Sequence, residues 1–192
     1  MRGITVDWVI EIHNKLALSP QTLFITVNLL DRYLDKVQID KSKLQLVASS
    51  CMLIASKYED INPPVVNDFV YFCDNSYSRE EFLNMEMSIL NTLEFAISMA
   101  SSYRFLERFS QIAGVSQLIW NYARYLIELA LLECRMVAYA PDLMAASALH
   151  LSMSIILECK AEWSIQIQQR TGFSIEDMRG CKEDLVVLLS GI

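Results

Sequence analysis

Near the start of the chain the apolar positions Ile4, Trp8, Ile12 and Leu16 recur at helical spacing, with Glu11 and Lys15 on the other side. This predicts an amphipathic helix that ends near the segment LALSP. Ser19 and Pro20 then supply an N-cap and a first helical position, opening a second helix whose buried face is Leu23, Val27, Leu30 and Leu34. Asp40 is placed to cap a third. Its body, from Leu44 to Ser56, carries no charge and one amide, Gln45. Such a run is too short to cross a bilayer and reads as a helix buried in a protein core, yet it leads straight into Lys57, Glu59 and Asp60. Asn62, Pro63 and Pro64 end that segment and start a short helix over 65–73. The segment SREE at 78–81 is a capping box for a fifth helix reaching Leu93.

The second half repeats the plan, with helices expected over 102–112, 116–133, 141–157, 163–171 and 175–189, the last opened by SIED in the capping-box manner. Within it LMAASALHL from Leu143 mirrors LVASSCMLI from Leu46, 97 positions earlier, both charge-free and rich in Ala and Ser. A helix that is apolar all round and lined with small residues needs close neighbours on every side. The expected fold is therefore all-α, two tandem five-helix repeats over 1–97 and 98–192, each a central helix wrapped by about four others.

Composition narrows the function. Apolar residues make up 53% of the 192 and charged ones 20%, which excludes a disordered chain and leaves more apolar surface than one core needs. A net charge of -7 argues against nucleic-acid binding through a general basic face, and no apolar run is long enough to span a membrane. Cys51, Cys73, Cys134, Cys159 and Cys181 are odd in number and scattered, so reduced core thiols are expected rather than disulfides or a metal site. No secretory leader pattern is present, so an intracellular location is expected. Of the two histidines, His13 is placed on a polar helix face and His150 within a buried helix, as a hydrogen-bonded core residue. The carboxylate pairs Glu59/Asp60 and Glu80/Glu81 read as solvated helix ends. No nucleophile motif, phosphate loop or metal-binding pair occurs, so no catalytic residue, metal or cofactor is assigned, and no enzyme is expected.

The longer words are more specific. MRGITVDWVIEIH from Met1, TLFITVNLLDRYL from Thr22, KLQLVASSCMLIASKYED from Lys43 and FLNMEMSILNTLEF from Phe82 together resemble the cyclin box of mitotic A/B-type cyclins. The segment YARYLIELALLECRMVAYAPDLMAASALHLS from Tyr122 resembles the C-terminal repeat of the B type. The resemblance covers essentially the whole chain. It implies two five-helix repeats and a non-catalytic partner that binds and activates a cyclin-dependent protein kinase in mitotic control, in nucleus and cytoplasm. By the same resemblance Lys57 and Glu86 grip the kinase within an apolar surround of Ile54, Tyr58, Leu90, Phe95 and Ile97, and Arg2 pairs with Asp31 to bridge helices one and two. Arg-x-Leu segments of substrates or inhibitors would dock on Met1, Ile4, Trp8, Glu11, Leu44 and Gln45, although Thr5 stands where a leucine is usual and brings a hydroxyl into that groove. Similar mitotic cyclins carry a destruction motif and a further helix ahead of the box, whereas these 192 residues open at the box. A general transcription factor of the transcription factor IIB kind uses the same tandem repeat, but its repeats are basic, against 16 basic and 23 acidic residues here.

Overall fold

In a computed structural model, residues 1–158 and 163–191 are described; Cys159 lies outside them. The first unit, Met1–Met99, holds α1 (Arg2–Lys15), α2 (Pro20–Lys36), α3 (Leu44–Glu59), α4 (Val66–Phe72) and α5 (Arg79–Thr92). The second, Ala100–Ile192, holds α6 (Ser102–Ala113), α7 (Gln117–Ala130), α8 (Pro141–Ile156), α9 (Ile165–Thr171) and α10 (Arg179–Ser190). Among the described residues there is no strand, and the chain is all-α. In the first unit α3 packs against α1, α2, α4 and α5, and in the second α8 packs against α6, α7 and α10, with α9 on α6.

The reason for each central helix is visible in its burial. Every residue of α3 from Leu46 to Ser56 is buried, and so is every residue of α8 from Met144 to Met153. The serines are admitted because the helix itself takes up several hydroxyls: Ser49 Oγ donates to the Gln45 carbonyl at 2.7 Å and Ser152 Oγ to that of Ala148 at 2.7 Å. Small side chains then let neighbouring helices approach.

Caps set several of the other ends. Ser78 Oγ accepts from the Glu81 N–H while Glu81 Oε2 accepts from the Ser78 N–H at 2.8 Å, the box that opens α5. Ser101, Ser116 and Ser164 cap α6, α7 and α9 in the same N-terminal manner. Ser19 does not: its side chain makes no cap, and its own N–H donates to Asp60 Oδ1 at 2.7 Å while Thr22 Oγ1 donates to Asp60 Oδ2 at 2.6 Å. Asp60 is thus no solvated helix end. It holds the start of α2 to the end of α3. Asp40 makes no side-chain cap either, and a 3-10 turn, Lys41–Lys43, precedes α3.

Other expectations also shift. On α1 the buried residues are Val6, Val9, Ile12 and His13, while Ile4 is 73% exposed. Apolar residues lie nearly all round this helix, so two stripes compete, and packing buries the one that holds Val6 and Val9. His13 is therefore in the core, where its Nε2–H donates to the Ser19 carbonyl at 2.9 Å. Helix α7 stops at Ala130 and a 3-10 turn, Cys134–Ala138, follows, which buries Met136. Ser174 and Asp177 do form their reciprocal bonds, but the turn after them winds tightly, Arg179 N–H to the Glu176 carbonyl, and α10 begins only at Arg179.

A candidate partner-binding surface on the first unit

Lys57 is the residue at which α3 leaves the core: Ser56 before it is buried and Tyr58 after it is 52% exposed. Across from it, Glu86 lies on the α5 stripe of Phe82, Met85 and Ile89, whose Phe82 and Ile89 are wholly buried. At this edge of the packed face Lys57 Nζ meets Glu86 Oε1 at 2.6 Å. The lysine side chain keeps 44% of its surface in solvent and the glutamate 12%. The pair is open on its lysine side, worth at most about 1 kcal/mol to the fold, and the single bond between them leaves hydrogen-bonding capacity on both groups.

The end of α5 builds the flank. Glu94 and Phe95 both have left-handed backbones, φ 53° and 58°, a conformation that costs non-glycine residues on the order of 1 kcal/mol each. Phe95 N–H donates to the Leu90 carbonyl at 2.8 Å and Ile97 N–H to that of Phe95 at 2.9 Å, so Leu90, Phe95 and Ile97 belong to one turn. Two α2 cations hold it, Arg32 Nη1 on the Ala96 carbonyl at 2.7 Å and Lys36 Nζ on that of Thr92 at 3.3 Å. The strained turn leaves Phe95 59% exposed, with Leu90 and Ile97 half-buried. Ile54, expected in the same surround, is 3% exposed and belongs to the core, because α3 is buried on all sides at that level.

Sequence reasoning missed two parts of this surface. Arg32 and Lys36 gave no signal beyond charge on a helix. Beside Lys57 there is also a groove of about 460 Å³ lined by Pro63, Pro64, Val65, Val66, Asn67 and Arg79, where the prolines had been read as punctuation alone. Val65 at its rim is 62% exposed.

Elsewhere on the unit, Arg2 grips Asp31 with two parallel bonds, Nε–Oδ1 at 2.7 Å and Nη2–Oδ2 at 2.8 Å, joining α1 to α2. Met1, Ile4, Trp8 and Glu11 form one stripe of α1, with Met1 62% exposed, Trp8 half-buried and Glu11 paired to Lys15 at 2.6 Å. Leu44 and Gln45, both half-buried, begin α3, which packs on α1. Thr5 Oγ1 donates to the Met1 carbonyl at 3.2 Å, so its hydroxyl is satisfied by the helix itself. Among the described residues, no three His, Cys, Asp or Glu side chains cluster as a metal site, no helix is long and apolar enough to cross a membrane, and Cys51, Cys73, Cys134 and Cys181 are free thiols.

The two units coincide with two family matches, residues 1–98 to the family described as Cyclin, N-terminal domain, and residues 100–191 to Cyclin, C-terminal domain. The chain belongs to the cyclin family. Its sequence is 42% identical to Cyclin-A1-1 of Arabidopsis thaliana over 99% of this chain and 42% of that protein. It is 39% identical to Cyclin-B2-2 of Oryza sativa subsp. indica over 98% of this chain and 45% of that one. The chain thus spans less than half the length of the curated cyclins it matches. The fold is also that of a viral cyclin from herpesvirus saimiri, with a TM-score of 0.84 at 23% identity, covering 97% of this chain and 85% of the viral one.

Proposed function

We propose that this cyclin is the regulatory, non-catalytic subunit of a cyclin-dependent protein kinase, and that Lys57 and Glu86 are its grip. The observation that carries this is the half-open ion pair at the point where the all-buried α3 ends, flanked by a strained turn that holds Phe95 out in solvent. Neither feature stabilises the unit enough to explain its presence. Both fit a partner whose backbone completes the hydrogen bonds of Lys57 and Glu86 while Tyr58, Leu90, Phe95 and Ile97 exclude water. A kinase requires its own lysine–glutamate pair, carried on a movable helix, and a surface that binds the inward position of that helix shifts the population toward activity. The likeness to A- and B-type cyclins supports mitotic kinases as partners, and nucleus and cytoplasm are proposed as the place of action. The α1 stripe with Leu44 and Gln45 is proposed as the dock for Arg-x-Leu segments, since Thr5 turns its hydroxyl back on the helix.

The test is phosphorylation of a histone-type substrate by an unactivated mitotic cyclin-dependent kinase, with and without the purified chain. Stimulation by the wild type, reduced at least about 100-fold in Lys57→Ala/Glu86→Ala with an unchanged circular dichroism spectrum, is the expected result. Equal stimulation by both chains would remove the pair from the mechanism.

A further inference from the structure

The two units contain their own internal ruler. Helix α8 runs 97 positions after α3, Leu44–Glu59 against Pro141–Ile156. For the last helix of each unit the marks are 96 apart: the box Ser78/Glu81 against Ser174/Asp177, and the wholly buried Phe82 and Ile89 against Met178 and Leu185. By these registers the counterpart of Lys57 is Ser154 and the counterpart of Glu86 is Lys182. The second unit has lost the cation from its central helix and reversed the charge on its last one.

What stands there is a groove of about 510 Å³ between α8 and α10, lined by His150, Leu151, Arg179, Lys182, Glu183 and Val187 among others. Its wall is apolar and open, with Val186 47% and Val187 53% exposed, and Ile155 on α8 45% exposed nearby. The cations in it are not equivalent. Arg179 is taken by Glu183 at 3.2 Å and Glu176 at 3.5 Å. For Lys182, among the described residues, the hydrogen-bonding neighbour is His150 Nδ1 at 3.4 Å, and no carboxylate lies within ion-pairing distance. His150 is packed edge-on against Trp163, ring centres 5.4 Å apart. Burial and the lysine push its imidazole down to about 4, and burial lowers Lys182 against the opposing fields of Glu176 and Glu183, so a neutral ring faces the ammonium. A cation half-removed from water beside a neutral acceptor, with aliphatic side chains on both sides, is complementary to a carboxylate embedded in apolar surface.

We propose that the α8–α10 groove is a second docking site, for a partner segment that presents one Asp or Glu between aliphatic side chains, with Lys182 reading the carboxylate and Leu151, Val186 and Val187 seating its neighbours. This site is independent of the kinase-gripping surface and stands or falls without it.

A displayed library of random 12-residue peptides, selected on the full chain and counter-selected on Val187→Asp, tests it. The expected outcome is enrichment of peptides carrying Asp or Glu flanked by aliphatics, at least tenfold weaker binding when that acid is changed to its amide, and a preference moved to Lys or Arg by Lys182→Glu. The milder Lys182→Gln should abolish the preference without reversing it, and circular dichroism melts establish that each variant is folded. Peptides lacking an acid, a preference unchanged in Lys182→Glu, or no enrichment over Val187→Asp would overturn the proposal. So would a concentration-dependent dimer in sedimentation that Val187→Asp dissolves, which would make a second copy the occupant.

Discussion

The place where the central helix meets the last one is occupied by Lys57 and Glu86 in the first unit and by Ser154 and Lys182 in the second. Beneath it the two units are alike: LVASSCMLI and, from Met144 onward, LMAASALHL are buried and charge-free, because a helix packed on all sides tolerates little else. The divergence begins within a turn of the surface, where packing no longer dictates the side chain. A paired Lys and Glu present a donor and an acceptor in fixed positions with little net field. Lys182, with no carboxylate within ion-pairing distance and only the more distant fields of Glu176 and Glu183 upon it, presents charge, and asks for charge in return.

The comparison breaks most visibly if the two charges of the first unit are exchanged. In Lys57→Glu/Glu86→Lys the ion pair can re-form, but donor and acceptor change places relative to the bound backbone. Affinity for an unactivated cyclin-dependent kinase, measured by calorimetry, is expected to fall at least about 100-fold, equivalent to about 2.7 kcal/mol. Wild-type affinity in the exchanged chain would show that only neutrality matters there, and the contrast with the second unit would lose its meaning.

The second unit should be the acid-sensitive one. His150 binds its proton only near pH 4 in the folded chain, against an ordinary value of 6.5, because burial and Lys182 both oppose the imidazolium. The unfolded chain takes up that proton first as pH falls, so the stabilisation is complete above about 6.5 and drains away between 6.5 and 4. Lys182 meets the ring at 3.4 Å, and Arg179 and Glu183 line the same groove. The expected loss is about 2–3 kcal/mol in urea unfolding followed through Trp163, reduced when Lys182→Gln removes the neighbouring charge. An unchanged profile in His150→Gln would assign the acid loss to another group.

Much of this fold is legible in the chain because its signals are local: capping boxes at Ser78 and Ser174, proline at the first helical position of α2 and α8, and a repeat word in each half. The all-α architecture follows from them. What sequence could not rank was which apolar stripe of α1 would face inward, since Ile4 and Val6 are equally apolar and only the contact with α3 separates them. The same holds at the site. Lys57 stands out as a charge at the end of a buried run and Glu86 comes from the resemblance, whereas Ile54 is just as apolar as Leu90 and needs the three-dimensional packing to reveal that it is core. Asp60 gives no local sign of its role because its partners, Ser19 and Thr22, lie about forty positions away.

Two ion pairs of the first unit sharpen the distinction between holding the fold and holding a partner. Arg2 and Asp31 keep 18% and 25% of their side-chain surface and bond through both forks, so Asp31→Ala leaves a guanidinium short of its carboxylate at a helix junction. A loss of about 2 kcal/mol of unfolding free energy is expected, between the values for surface and buried pairs. Lys57→Ala should cost the least of all, about 0.5 kcal/mol or under, because the lysine is 44% exposed and its loss lets water reach Glu86. Urea denaturation of the two single variants beside wild type decides the matter. A Lys57→Ala cost as large as that of Asp31→Ala would make the pair part of the architecture. A negligible cost would leave partner binding as the reason for a lysine at the end of a helix that otherwise avoids water.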